Sequence, residues 1–195
     1  MKNLFQQPPF AVTTEYLETT FRGFLKNFIC VNFNGNSETR GIATLLIAER
    51  NAFANHQEAL TVLMQHLLFE REEWNHFKEF TTTDIEQFTT HFLLPYYSEM
   101  ELNPLDKSEF KKEYKSILNS QIEFAKKLPE YWHIYNEDWF GIKLNKENVT
   151  DLTGFDPIKN EELEACFYFS NEWDNKEYFA ISKNNYIYFD WFLSW

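Results

Sequence analysis

The sequence predicts an α+β protein in which a helical N-terminal two-thirds packs on a small antiparallel C-terminal β-meander. Three observations lead there. The last 35 residues alternate in character with the period-2 pattern of strands, and are broken by turn-forming SNEWDNK and KNN segments. Apolar residues in much of the preceding chain instead recur at helical spacing. No Gly/Ser linker, internal repeat or sharp change of composition divides the chain. A single domain over 1–195 is therefore expected, with the helical part at about 1–128 and the sheet part at about 139–195.

In chain order, Thr14 caps a first predicted helix, with Leu17, Phe21, Phe24, Leu25 and Phe28 on one stripe. The next run, FICVNF, is β-branched and aromatic, and Asn34-Gly35 signals a turn. Either the helix ends there, or a short strand pairs with Ile42–Ile47. From about Asn55 to Phe80 the pattern is helical again, with Leu60, Leu63, Met64, Leu67 and Leu68 inward. Thr83 and Glu86 form a capping box for a further helix, which Pro95 closes. Asp106 and Glu109 repeat that spacing and open a long helix to about Lys127. Its buried side is predicted to be Phe110, Tyr114, Ile117, Leu118, Ile122 and Phe124/Ala125. Phe140–Leu144 is read as an added strand and Asn145–Asn160 as a surface loop. In the terminal hairpin, a three-residue loop Lys183–Asn185 sets Ile181 opposite Ile187 and Phe179 opposite Phe189. That register gives one apolar face and leaves Ser182, Tyr186, Tyr188 and Asp190 on the other.

Composition narrows the function. Aromatic residues make up 19% of the chain, which favours a thick packed core over disorder. A net charge of −12 opposes binding to a phosphate backbone or an anionic membrane and favours basic partners. The first residues lack the basic and apolar regions of a signal peptide, and the longest apolar run is too short to span a bilayer. With two cysteines in apolar surroundings, Cys30 and Cys166, the expectation is a cytoplasmic protein with buried reduced thiols.

Catalytic and metal motifs are scarce. His56, His66 and His76 are spaced at ten residues, steps that rotate a helix by about 280°, so they diverge. Glu73 and His76 have the E-x-x-H spacing of di-iron bundles, but no second pair accompanies them. There is no H-E-x-x-H, C-x-x-C, G-x-S-x-G or phosphate-binding glycine loop. Neither catalysis, metal nor cofactor is predicted. An alternative is a small-molecule enzyme with His133, Glu137 and Asp138 lining a cleft.

The strongest candidate site is the acidic, aromatic surface of the C-terminal third. Glu161, Glu162, Glu164, Glu172, Asp174, Glu177 and Asp190 face only Lys176 and Lys183 in the same segment. Trp173 lies in the SNEWDNK turn, where no strand pattern forces it inward. A tryptophan among carboxylates suits a protein partner: the ring anchors by burial and the charges steer a basic surface.

An acidic, motif-poor chain with an aromatic meander resembles the bacterial immunity proteins of contact-dependent and other polymorphic toxin systems. The stretch IEFAKKLPEYWHIYNEDWFG, Ile122 to Gly141, is similar to the helix-then-Leu-Pro segment of SUKH immunity domains. It departs from them in coming late in the chain and in having a single glycine. The resemblance implies a protein that binds a cognate toxin and blocks its active site without catalysis of its own. Many such toxins are nucleases with basic clefts. An acidic nucleic-acid mimic that antagonises restriction or phage defence is the other binding alternative.

Overall fold

The structure, a computed structural model, describes residues 28–34, 41–70, 101–127 and 154–193. Its centre is one antiparallel sheet of order β1-β2-β6-β5-β4-β3. The strands are β1 (Phe28–Asn34), β2 (Ile42–Glu49), β3 (Asn103–Pro104), β4 (Leu163–Asn171), β5 (Asn175–Ser182) and β6 (Asn185–Phe192). Five are long, and β3 is a two-residue bridge onto β4. Among the described residues there are two α-helices, α1 (His56–Glu70) and α2 (Lys107–Lys127).

This arrangement overturns the expected helical two-thirds on a small C-terminal sheet. The C-terminal meander β4–β5–β6 is present as predicted. The sheet, however, takes two further long strands from the N-terminal third, where β1 pairs with β2 over seven residue pairs and β2 pairs with β6. The physical reason lies in FICVNF and IATLLIAE. Both are rich in β-branched, aromatic and aliphatic residues, which favour strands, and β2 from Ala43 to Ala48 is buried on both faces. Such runs carry neither a helical nor an alternating signature, so the helix-or-hairpin ambiguity over Phe28–Ile47 resolves to a hairpin. Gly41 enters β2 with φ +69°, the left-handed region in which glycine is favoured.

Both faces of the sheet are covered. On one, Leu46, Ala48, Phe167, Phe179, Ile181, Tyr186 and Tyr188 pack with Ala59, Leu60, Val62, Leu63 and Met64 of α1. On the other, Leu45, Ile47, Cys166, Tyr178, Ala180, Ile187 and Phe189 pack with Phe110, Tyr114, Leu118 and Ile122 of α2. Burial of each large apolar side chain stabilises by roughly 1.5–3 kcal/mol, and aromatic pairs add to it. Tyr114 meets the Phe189 ring edge-on at 5.3 Å, and Phe110 meets Tyr178 at 5.8 Å.

Two-sided burial also corrects the terminal hairpin. The loop is Lys183-Asn184, and the register is Ile181↔Tyr186, Ala180↔Ile187, Phe179↔Tyr188 and Tyr178↔Phe189. The expected pairs Ile181/Ile187 and Phe179/Phe189 are thus off by one residue. The prediction assumed a single apolar face, whereas Tyr186 and Tyr188 are as buried as Ile187 and Phe189. With both faces apolar, residue type no longer selects the register, and the two-residue loop sets it.

The two described helices start where the sequence placed them. The Asp106 carboxylate accepts from the backbone N–H of Ser108 (2.7 Å) and of Glu109 (3.3 Å), and from the Ser108 hydroxyl. Those bonds, the Ser108 hydroxyl foremost, hold its pKa below the usual carboxylate range. Asn55 caps α1 by accepting from the N–H of Glu58 at 2.9 Å. Phe110, Tyr114, Leu118 and Ile122 of α2 are buried as predicted, and Ile117 packs against them half-buried. Cys166 is a free, buried thiol whose pKa burial pushes up to about 12. Within 154–160, predicted as surface loop, Ile158 is buried in the core. The predicted helices after Thr14 and Thr83, the Phe140–Leu144 strand, His76, His133, Glu137 and Asp138 lie outside the described residues. No described helix is long and apolar enough to cross a membrane.

Candidate binding surface at the β4–β5 turn

The eight predicted site residues do not form one face. Strand β4 separates them: Glu161, Glu162 and Glu164 stand at its start, and Glu172, Trp173 and Asp174 follow its end. The eight residue steps from Glu164 to Glu172 span about 26 Å of extended chain. Glu177 and Asp190 are in neither group. They are directly opposite each other on β5 and β6, at 4% and 0% exposure, on the face that α1 covers. Tyr188, on the same face, donates its hydroxyl hydrogen bond to Glu177 Oε1. Their alternation in the strands was legible, but the burial of that face was not.

Two of the three acids at the start of β4 bind within the protein through their side chains, and the third only through its main chain. Glu161 accepts from the Ser182 hydroxyl and from Asn185 Nδ2 at 2.7 Å, which fixes the β5–β6 loop. The Glu162 carbonyl accepts from Lys183 N at 3.1 Å, while its side chain stays exposed. Glu164 Oε2 meets Arg50 Nη1 at 2.7 Å, and the same nitrogen donates to the Ser182 carbonyl at 3.1 Å. Arg50 N also donates to Asn184 O at 2.7 Å. An open cleft of about 550 Å³ adjoins this corner, lined by Glu49, Arg50, Asn51, Lys183, Asn184 and Asn185. The residues that line it are all polar or charged, and the charges are of both signs.

The other end is different. Trp173 is 68% exposed, the one exposed large apolar side chain among the described residues. Exposed Glu172 precedes it and half-buried Asp174 follows. The turn that carries it is pinned at its base. Asn171 Oδ1 accepts from Lys176 Nζ at 2.8 Å and from the Tyr178 hydroxyl at 2.7 Å. Lys176 Nζ also donates to the Asn171 carbonyl at 3.3 Å, and the Ser170 hydroxyl donates to Asn175 O at 3.2 Å. Leu193 N donates to the Asp174 carbonyl at 2.9 Å, tying the turn to the end of β6. Tyr178 stays a donor, because burial first and then Glu113 and Glu109 push its hydroxyl pKa up. Glu113 of α2 lies 3.9 Å from Lys176 Nζ and adds a carboxylate beside the turn.

The arrangement presents an aromatic ring to solvent on a rigid base between carboxylates. That suits association with a cationic surface, since little ordering entropy is lost when the ring is covered. Among the described residues no group of three or more His, Cys, Asp or Glu is placed to hold a metal. Sequence reasoning found Trp173 and its flanking acids but missed the Asn171 bracket and the Arg50–Glu164 pair. Asn171 carried a local signal, a short polar side chain at a strand-to-turn boundary. Arg50 and Glu164 are 114 residues apart, and nothing local marks their contact. Compared with protein-family models, curated proteins and solved structures, the chain matches none.

Proposed function

We propose that this is a cytoplasmic immunity protein that binds a basic toxin domain, of nuclease type, through the β4–β5 turn and obstructs its active site. The observation that carries the reading is the exposed Trp173 set between Glu172 and Asp174 on a hydrogen-bonded base. The net charge of −12 supports it, because long-range attraction to a cationic cleft speeds encounter, and salt screens that attraction. In this role the protein supplies surface and charge and performs no catalysis.

The test is a pull-down from the source organism with the purified full chain as bait, at low and at high salt. One basic toxin domain is expected to be retained in stoichiometric amount at low salt and released at high salt. Retention of no protein at low salt overturns the proposal.

A further inference from the structure

The polar cleft of about 550 Å³ opens where the end of β2 meets the β5–β6 loop. Its floor is fixed. Glu49 pairs with Asn185 across β2 and β6, and the short 3-10 turn Arg50–Ala52 follows directly. Arg50 N donates to Asn184 O at 2.7 Å, and the Arg50 guanidinium is held by Glu164 and the Ser182 carbonyl. Asn185 N donates to the Ser182 hydroxyl at 2.9 Å, and Asn185 Nδ2 donates to Glu161. These bonds commit the floor, but four side chains of the lining stay uncommitted. Glu49, Asn51, Lys183 and Asn184 are exposed, and among the described residues their side chains make no hydrogen bond or ion pair.

We propose that this cleft binds a short polar peptide, with main-chain amides on Asn51 and Asn184, the amino end on Glu49 and the carboxylate end on Lys183. A carboxamide carries N–H donors and a carbonyl acceptor in one plane, so each asparagine can bond a peptide chain both as donor and as acceptor. The two uncommitted charges, Glu49 and Lys183, are of opposite sign, which suits a dipolar ligand with one charge at each end. The lining disfavours other classes. It has no apolar side chain to hold an apolar ligand. A polyanion would meet Glu49 in the cleft, Glu164 behind Arg50 and a net charge of −12. A floor already held by hydrogen bonds loses little ordering entropy when a ligand arrives. The cleft adjoins the start of β4, where Glu164 meets Arg50, whereas the Trp173 turn follows the end of that strand. The two surfaces are therefore separate, and peptide binding here does not rest on the toxin-binding role of the turn.

The experiment is a titration of the full chain with triglycine, read from the backbone amide chemical shifts by NMR. Shifts are expected at Arg50, Asn51 and Lys183 to Asn185, with a dissociation constant on the order of 1 mM, as ordinary ligand efficiency gives for about 13 non-hydrogen atoms. Triglycine blocked by N-acetylation and C-amidation should bind about threefold more weakly or worse, since it lacks both end charges. Asn51→Ala and Lys183→Ala should each weaken triglycine binding by about threefold or more. Both should keep the wild-type unfolding midpoint, because neither side chain bonds the floor and Lys183 is tied through its main-chain N–H to the Glu162 carbonyl. No shift at these amides at about 20 mM triglycine overturns the proposal. So does an equal response to inorganic phosphate, equal binding of the blocked peptide, or undiminished binding in either variant.

Discussion

Replacing Gly41 with alanine is expected to cost about 3–5 kcal/mol and to leave the domain largely unfolded at physiological temperature. Two independent penalties meet at this position. A φ of +69° is strained for any residue with a Cβ. A Cβ built there also stands 2.1 Å from the carbonyl oxygen of Phe192 and 2.8 Å from its carbonyl carbon. Neither contact is the tip of a movable side chain; both are backbone of β6, which is paired with β2 on one side and β5 on the other. Relief requires β2 and β6 to part at the Ile42↔Phe192 pair, where the N-terminal strands join the meander. Urea unfolding followed by circular dichroism checks this. A midpoint close to that of the wild type would mean that β2 does not enter the sheet beside β6 in this way. Gly154→Ala serves as a control: its φ is +79°, but nothing lies within 4 Å of the added atom, so only the backbone strain of roughly 1–2 kcal/mol applies.

Trp173→Ala is expected to weaken partner binding by at least about 2 kcal/mol, roughly thirtyfold, while changing the stability of the fold by no more than about 0.5 kcal/mol. The two halves of this expectation share one cause. A side chain 68% exposed contributes little to the core, and the same area is available for burial on association. Charge reversals at Glu172→Lys and Asp174→Lys act differently. They should slow association and reduce its dependence on salt, because they remove steering more than contact. The fold tolerates Asp174→Lys, since the bond from Leu193 is to the main-chain carbonyl. Calorimetric titration of the captured partner, with thermal unfolding in parallel, separates binding from stability. Equal losses in both measurements would make Trp173 a structural residue.

What could be read in advance was local. Helix α2 was legible from end to end because its cap, Asp106 with Glu109, and its stripe from Phe110 to Ile122 lie within one stretch and state one period. Trp173 was legible as a turn residue for a similar reason, since no alternation claims it. The sheet was half legible. Strands β5 and β6 are plain from composition, but their register is not: Tyr186 and Tyr188 have the character of solvent-facing residues although α1 covers them, and that shifts the expected pairing by one. Strand β2 is ambiguous because a run buried on both faces, Ala43 to Ala48, shows no period at all. The acidic surface was misjudged through the same gap: Glu177 and Asp190 count as surface charges until the layer above them is known. The Arg50–Glu164 pair and the His56–Tyr186 contact each join residues over a hundred positions apart, and only the folded sheet brings them together.

The most direct measurement of where the proposed partner docks is a hydrogen-exchange footprint of the chain with and without the captured protein. Protection is expected over the β4–β5 turn, residues 171–176, with the β5–β6 loop at 183–185 unchanged. Protection confined to the 183–185 end, or no change at the turn at saturating partner, would contradict the assignment of Trp173 as the anchor.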